Sequence, residues 1–223
     1  LLHGLDVLEL HADEALDITG VQYDSRQVTP GALFVAISGF QTDGHKYIPK
    51  AMENGAVCVV CEKKPETDIP YVLVSNARSA LAALGANWFG HPADAMCVVG
   101  ITGTNGKTTS SRMIEQAFAD AGLNYFANRS GANLISGITA EFAMHSTLTG
   151  RPKCQFAVIE CDEAASKTVL KYLKPEVIVA TNVFRDQLDR YGEITHTLNN
   201  ILEGIRHTPE STLCINADCS LIA

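Results

Sequence analysis

The 223-residue sequence has no long apolar run and no cluster of basic residues. No stretch approaches the ~20 apolar residues that a membrane helix requires, and the N-terminal residues lack the basic region and cleavage pattern of a secretory signal. Only 17 Lys and Arg stand against 25 Asp and Glu, for a formal net charge of -8. We therefore expect a cytoplasmic globular protein, without membrane insertion and without nucleic acid as a main partner.

Cysteine is present in an odd number, seven, and no spacing suggests a disulfide framework. The cysteines lie in apolar segments, as is typical of reduced and buried thiols. Cys58 and Cys61 have C-x-x-C spacing, but they lie inside a strand-like run and no second pair follows at the spacing of a zinc site. Ordinary buried cysteines are therefore favoured over a redox or zinc site.

The first part of the chain alternates strand-like runs with helical patterns. The predicted strands are "ITGVQY", "ALFVAIS", "AVCVVC" and "YVLVS". Apolar residues at helical spacing predict two helices, one carried by Ile48, Ala51 and Met52 and the other by Ala77, Leu81, Leu84 and Trp88. The stretch Phe89 to Ala95 breaks this pattern with Gly and Pro, which predicts two domains, residues 1–93 and 94–223.

The second part repeats strand and helix more regularly. Its predicted strands are "MCVVGIT", "FAVIE" and "EVIVATN". Three helices are predicted. Apolar stripes predict the first, carried by Met113, Ile114, Ala117, Phe118 and Ala121, and the last, carried by Leu198, Ile201, Leu202 and Ile205. The helical segment "EAASKTVLKYL" lies between them. Apolar strands that alternate with helices predict an α/β fold, in which a small α/β domain is followed by a mostly parallel sheet with helices on both faces.

The stretch "GITGTNGKTT", Gly100 to Thr109, joins a predicted strand to a predicted helix. Its small residues let backbone N–H groups approach phosphate oxygens, Lys107 supplies a positive charge, and Thr108 can hold Mg²⁺. The usual phosphate-loop pattern G-x-x-x-x-G-K-[ST] has glycine where Ile101 stands, so a plain turn is the alternative. The predicted contacts to the phosphates of a nucleotide are Gly103, Thr104, Asn105, Gly106, Lys107, Thr108 and Thr109.

A carboxylate for the magnesium ion is predicted in "FAVIECDE". Glu160 ends an apolar strand, and ligand sites of parallel sheets form at the carboxyl ends of strands. Asp162 and Glu163 have a simpler explanation as acidic residues at a helix N-terminus. The sequence therefore favours Glu160 as the metal ligand.

Two other polar segments have weaker signals. The stretch Thr181 to Glu193 follows an apolar strand, and it fits a site loop or a set of salt bridges equally well. His45, next to Gly44, is interpreted as an ordinary loop histidine because the sequence offers no evident carboxylate or nucleophile partner.

Taken together, these residues resemble the Mur ligase family. "GITGTNGKTT" resembles the ATP loop of those enzymes, whose own pattern has glycine at the position of Gly100. "DSRQVTPGALFVAISGFQTDGHKYI" and "GAVCVVCE" resemble the UDP-binding domain of the MurE branch, the UDP-N-acetylmuramoyl-tripeptide synthetases. The resemblance covers nearly the whole chain.

The resemblance implies an ADP-forming ligase that uses ATP and Mg²⁺. In such enzymes ATP phosphorylates a carboxylate of a UDP-N-acetylmuramoyl-peptide, and an amine attacks the acyl phosphate to form an amide. Lys107 and Glu160 would be the catalytic residues, with Thr108 and Glu160 at the metal. The matching contacts to the uracil end of the substrate would be Ser25, Phe40, Gln41 and Thr42.

Two positions depart from the amino-acid-adding members of the family. In "RDQLDRY", Gln187 stands where they have a metal-binding histidine, and Ile201 stands where they have a lysine. In these positions, and in "NRSGANLISGIT" and "ECDEAAS", the sequence is similar to MurT, which amidates a glutamate carboxylate with ammonia from a glutaminase partner. Further substrate contacts are predicted in these segments: Asn128, Arg129, Asn133, Asp186 and Gln187.

Three functions remain open from the sequence. The first is the muramoyl-peptide ligase or amidase, and the second is the same chemistry on the substrates of folylpolyglutamate or cyanophycin relatives, which lack a UDP site. The third is a non-catalytic module that binds a UDP-sugar or a nucleotide. The chain opens without Met and ends soon after "INADC", which resembles the family's N-A-D-D turn, so we expect a fragment that does not turn over alone.

Overall fold

The structure of the chain, a computed structural model, describes residues 1–39, 42–128, 132–147, 149–183 and 193–222. Two compact units are present, Leu1–Trp88 and Phe89–Ala223. Both are α/β with mostly parallel sheets, so the predicted fold class is confirmed. No helix in the described ranges has the length and apolar character needed to span a lipid bilayer.

The first unit is built on a five-stranded sheet of order β1-β5-β4-β3-β2. Its strands are β1 (Val7–His11), β2 (Gly20–Gln22), β3 (Ala32–Val35), β4 (Cys58–Cys61) and β5 (Tyr71–Val74). Its helices are α1 (Ile48–Glu53), α2 (Ala77–Trp88) and two short 3-10 helices, Ser25–Gln27 and Gly44–Tyr47. The strands pair in parallel except β1, which is antiparallel to β5 at the edge.

The sheet of the first unit is covered on both faces because its strands are apolar on both. Phe34 and Val59 pack with the α1 side, whereas Leu33 and Val60 pack with the α2 side. Burial of both faces is why these strands read as continuous apolar runs in the sequence. The sequence pattern does not predict strand β1. This strand lies at the edge of the sheet, where Leu8 is 62% exposed and buried residues do not alternate with exposed ones.

The C-x-x-C pair of β4 divides between the two faces of this sheet. Cys58 packs in the cluster on the α2 side and Cys61 in the cluster on the α1 side. Burial raises the pKa of each thiol to about 11. Thiols on opposite faces cannot share a metal ion or form a disulfide, so the geometry accords with two ordinary buried cysteines.

The second unit is built on a fully parallel sheet of order β10-β9-β6-β8-β7. Its strands are β6 (Cys97–Thr102), β7 (Tyr125–Ala127), β8 (Phe156–Glu160), β9 (Val177–Ala180) and β10 (Thr212–Ile215). Its helices are α3 (Lys107–Asp120), α4 (Ile135–Met144), α5 (Glu163–Leu173), α6 (Glu193–Arg206) and a 3-10 helix, Pro92–Ala95. The predicted boundary after Ala93 thus lies inside that 3-10 helix.

Helix α3 buries a narrower stripe than its sequence predicts. Ile114 and Phe118 pack against the sheet core formed around Val99 and Ile101. Met113 is 69% exposed, and Ala117 and Ala121 are exposed too, so the predicted place of these three residues in the buried stripe is wrong. A helix turns by about 100° per residue. When Ile114 and Phe118 point at the flat sheet, Met113 therefore points away from it to solvent.

Helices α5 and α6 approach closely at Gly204. A Cβ atom on Gly204 would lie 2.8 Å from the carbonyl oxygen of Ser166 and 2.9 Å from a methyl carbon of Leu170. On the same helix, Ile201 is 1% exposed. Glycine at position 204 therefore lets the two helix backbones pack together.

We expect Gly204→Ala to lower the free energy of unfolding of the second unit. The new methyl group meets a backbone carbonyl, and this overpacking outweighs the gain in helix propensity, for a net loss of about 1–2 kcal/mol. Urea unfolding followed by circular dichroism measures the change. Asn199→Ala, at an exposed position of the same helix, is the matched control and should cost nothing; equal stability of both variants would contradict the close approach.

We also expect the thiols to react in the order of their exposure. Cys214 is exposed, whereas Cys58 and Cys61 are buried with raised pKa values. A thiolate-specific reagent at pH 8 should modify Cys214 rapidly, and a Cys214→Ser variant should lose this phase. Cys58 and Cys61 should react only after unfolding in urea; their fast modification in the folded chain would refute their burial.

Candidate functional site

The glycine loop lies between β6 and α3, at the carboxyl end of the parallel sheet. Gly103 (φ 126°) and Gly106 (φ 89°) both have left-handed backbone conformations, and a Cβ on Gly103 would lie 2.5 Å from the Thr181 hydroxyl. Ile101 is fully buried within β6. The position that lacks the usual glycine therefore belongs to the strand core, and the two glycines that shape the loop are present.

The loop is fastened by the two residues that follow β9. The Thr181 Oγ1 lies 2.6 Å from the carbonyl oxygen of Asn105, and the backbone N–H of Thr104 donates to the carbonyl of Asn182 at 2.7 Å. Asn182 is held in turn by Asn216, whose Nδ2 donates to its Oδ1 at 2.7 Å. The sequence marks Thr181 only as the start of a polar stretch, and the roles of Asn182 and Asn216 are missed.

Lys107 is the first residue of α3, and its side chain is largely buried at the loop. The ammonium donates to the carbonyl of Gly103 and, at 3.1 Å, to the Glu163 carboxylate. Asp162 caps α5 by accepting from the Ala164 N–H at 2.9 Å, as its acidic helix start predicts. Glu163 does more than the sequence suggests, since it forms an ion pair with Lys107.

Glu160 ends β8 with only 8% of its surface exposed, and its carboxylate faces α3. The exposed Thr108 donates its hydroxyl to the Glu160 Oε2 at 3.1 Å. No group of three His, Cys, Asp or Glu side chains able to hold a metal occurs among the described residues. One carboxylate and one hydroxyl suit Mg²⁺, which binds few protein oxygens and completes its shell with phosphate and water.

Two predicted contacts near β7, Asn128 and Asn133, bond to the backbone at the end of β8 and just after it. Asn128 is 5% exposed, and its side-chain amide bonds to the backbone N–H and C=O of Glu160, each at 2.8 Å. The carbonyl oxygen of Asn133 accepts from the backbone N–H of Asp162 at 2.9 Å. Arg129 lies outside the described residues.

Ser25 and Thr42, the two predicted uracil contacts that lie within the described residues, are near α1. Ser25 is buried at the start of a 3-10 helix, and its carbonyl accepts from the Asn54 side chain at 2.8 Å. Thr42 is exposed, with its hydroxyl 3.3 Å from that of Tyr47. Both 3-10 helices of this unit contact α1. The predicted contacts Phe40 and Gln41 lie outside the described residues.

His45 has a carboxylate partner that its sequence context does not reveal. Its Nδ1 lies 2.6 Å from the Asp43 carboxylate, and its Nε2 accepts from the backbone N–H of Glu62 at 3.1 Å. Lys63, with His45, holds the pKa of Asp43 below its usual range. Since one ring nitrogen accepts from a backbone N–H, the other carries the proton, and His45 ties the loop to the end of β4.

The polar stretch after β9 is described only as far as Val183. Asp186 and Gln187, the predicted substrate contacts within it, lie outside the described residues and stay predictions. The described part of the chain therefore brings together Gly103–Thr108, Glu160 and Asn128 at the carboxyl end of the strands of the second sheet.

Comparison with protein families gives two matches along the chain. Residues 17–96 match the model of the Mur ligase family, catalytic domain, and residues 101–223 match that of the Mur ligase middle domain. The fold agrees with MurF ligase from Thermotoga maritima in complex with ADP, at a TM-score of 0.69 and 25% identity over 92% of this chain and 47% of that one. MurF from Acinetobacter baumannii also gives 0.69, at 24% identity over 92% and 45% of the two chains.

Two curated relatives are similar in sequence. The chain is 41% identical over 197 residues to UDP-N-acetylmuramyl-tripeptide synthetase of Roseiflexus sp. (strain RS-1), covering 80% of this chain and 38% of the relative. It is 31% identical over 233 residues to UDP-N-acetylmuramoyl-L-alanyl-D-glutamate--2,6-diaminopimelate ligase of Parabacteroides distasonis, covering 98% of this chain and 48% of the relative.

The chain thus spans about half or less of the length of these curated relatives. The resemblance carried by "GITGTNGKTT" and by the first part of the sequence is confirmed by the two family matches. Because the middle-domain match alone takes in more than half of the residues, the chain belongs to the Mur ligase family.

Proposed function

We propose that this chain forms the substrate-binding and ATP-binding parts of an ADP-forming ligase of peptidoglycan precursor synthesis. The observation that carries the proposal is the loop Gly103–Thr108, with the buried Glu160 carboxylate 3.1 Å from the Thr108 hydroxyl. A loop of this shape at a helix N-terminus suits phosphate, and a carboxylate beside it suits the accompanying Mg²⁺. Thr108 and Glu160 would hold that ion, which lowers the negative charge on the phosphates when bound.

The residues of the loop would act on the phosphates of ATP. The N-cap residue of α3 is Gly106, which has no side chain to accept from the first backbone N–H groups of the helix, and these groups would add positive potential beside the loop. Lys107 would exchange its contact with Glu163 for a phosphate oxygen. These groups would orient the terminal phosphate and would already be in place to stabilise the negative charge that shifts to the leaving ADP oxygen during transfer.

The proposed reaction has two steps. A carboxylate oxygen of the substrate attacks the terminal phosphorus of ATP, the bond from that phosphorus to the ADP oxygen breaks, and ADP leaves. The amine nitrogen then attacks the carbonyl carbon of the acyl phosphate, phosphate leaves with the bonding electron pair, and a proton lost from nitrogen completes the amide.

The substrate in the proposal is a UDP-N-acetylmuramoyl-peptide, held at its uracil end by Ser25 and the segment Phe40–Thr42 of the first unit. The support is the similarity to curated ligases that are named for such a substrate. The proposed amine is an amino acid, as the name of the Parabacteroides relative states for that enzyme.

Ammonia from a glutaminase partner is the second candidate for the amine. The observation that favours it is Gln187, a neutral amide where amino-acid-adding relatives have a metal-binding histidine, together with Ile201, which is 1% exposed in α6. The comparisons lend no support to a glutaminase partner. An enzyme that uses ammonia in this way would act on a lipid-linked substrate. Binding of the soluble UDP precursor would therefore favour the amino-acid candidate over the ammonia candidate.

Lys107→Ala should weaken binding of ATP in the presence of Mg²⁺. Loss of a charge-assisted bond to phosphate costs about 1.5–3 kcal/mol, so the Kd should rise about 10- to 100-fold. Titration calorimetry measures the constant. Lys167→Ala, which removes a half-exposed lysine paired with Glu203, is the matched control and should bind as the unaltered chain does. Equal affinity of the Lys107 variant would contradict a phosphate-binding loop.

Ser25→Ala should weaken binding of UDP-N-acetylmuramoyl-dipeptide, measured by calorimetry with UDP alone for comparison. One neutral hydrogen bond is worth about 1 kcal/mol, so the expected loss is about 5-fold. Ser79→Ala on α2 is the control and should have no effect. If the unaltered chain binds ATP but no UDP compound, the proposal of a soluble UDP precursor is wrong, and the alternative of a lipid-linked substrate is favoured.

A further inference from the structure

Asn128 takes the place of a strand residue at the edge of the second sheet. Strand β7 ends at Ala127, whose partner on β8 is Val158, so backbone pairing stops before Glu160 is reached. The N–H and C=O of one strand residue point to the same side, and for Glu160 that side is the one β7 has left. The backbone groups of Glu160 therefore need another partner.

The side-chain amide of Asn128 supplies both bonds. Its Oδ1 accepts from the Glu160 N–H at 2.8 Å, and its Nδ2 donates to the Glu160 carbonyl at 2.8 Å. The same Nδ2 donates to the carbonyl of Ala132 at 2.9 Å, which ties the start of the following segment to the strand end. With 5% of its surface exposed, Asn128 makes these bonds in a site shielded from water, where unmade bonds are costly.

The three hydrogen bonds of the Asn128 side chain require an amide of this length. Aspartate at position 128 would keep the acceptor for the Glu160 N–H but would turn a carboxylate oxygen toward two carbonyl oxygens. Alanine would leave the N–H and C=O of Glu160 unpaired on that side. Either change frees the backbone from which the Glu160 carboxylate projects toward Thr108.

We propose that Asn128 is a positioning residue, which holds the Glu160 carboxylate in place for Mg²⁺ and so sets the magnesium dependence of nucleotide binding. The inference rests on the proposed function, since it takes the loop to bind ATP. Groups that orient a metal ligand commonly change metal affinity about 10- to 100-fold when they are removed. The amide of Asn128 is occupied by backbone groups, and we assign it this role in place of a contact to substrate.

The test compares ATP binding in excess Mg²⁺ with binding in EDTA, by calorimetry. For the unaltered chain we expect tighter binding with Mg²⁺, and Asn128→Ala should reduce this gain about 10-fold while binding in EDTA changes little. Asn124→Ala is the matched control, because Asn124 lies before the other end of β7 and also donates from Nδ2 to a backbone carbonyl, that of Lys153, at an exposed position. It should keep the full gain.

A second variant and a double variant make the result decisive. Asn128→Asp keeps the volume of the side chain and should also lose the gain, so it serves if the alanine variant does not fold. The Glu160→Gln variant already lacks the charged ligand. Adding Asn128→Ala to it should not further reduce the increase in ATP affinity that Mg²⁺ produces. A purely structural role would add a further loss there.

Three outcomes overturn the inference. The first is an unchanged magnesium gain in a folded Asn128 variant, and the second is an equal loss of affinity with Mg²⁺ and in EDTA. The third is an unaltered chain that binds no ATP in either condition, which also overturns the proposed function. The first two outcomes leave the proposed function intact. ATP binding by the unaltered chain therefore distinguishes failure of the inference on Asn128 from failure of the proposed function.

Discussion

The candidate site depends on the register of β6, which pairs in parallel with β8 on one side and β9 on the other. Ile101 lies opposite Glu160 on one side, and Thr102 lies opposite Ala180 on the other. Because all three strands run in the same direction, the glycine loop, the Glu160 carboxylate and Thr181 emerge at the same edge. A slip of one residue would turn the Glu160 side chain to the other face of the sheet and away from Thr108.

From this register the loop obtains its shape through contacts distant in sequence. Gly103 has no room for a side chain because Thr181 stands against it, and Thr181 in turn approaches the carbonyl of Asn105. Asn216, which follows β10, reaches the same edge to hold Asn182. The loop is therefore fixed in advance by residues that follow β9 and β10, and such preorganisation lowers the entropy cost of binding a phosphate chain.

The parts predictable from sequence are those with a local signal. The apolar runs of β6, β8 and β9, the glycine loop and the position of Glu160 at a strand end all follow from residue type and spacing. The three-residue strand β7 is too short to show a period, and α4 is apolar without a clear stripe. Neither is predicted.

Other features depend on where the chain returns in space, and no local pattern carries them. The bond between Asn128 and Glu160 joins residues 32 positions apart, and the ion pair of Lys107 with Glu163 joins residues 56 apart. His45 and Asp43 are close in sequence, but the role of their pairing is set by Glu62, a residue of the next strand end. Hydrogen-bonding side chains thus show their type in the sequence and their partner only in the fold.

The charges around the loop bear on which form of the nucleotide the proposed site accepts. Lys107 pairs with Glu163, and the same short segment after β8 also carries Glu160 and Asp162, so its carboxylates outnumber this ammonium. Free ATP must approach this cluster as a polyanion and must compete with Glu163 for Lys107, which costs electrostatic free energy. A nucleotide that carries Mg²⁺ would bring positive charge that Glu160 and Thr108 would hold, and Lys107 would pair with a phosphate oxygen. If the loop binds ATP as proposed, we therefore expect these carboxylates to disfavour free ATP and to favour the nucleotide that carries Mg²⁺.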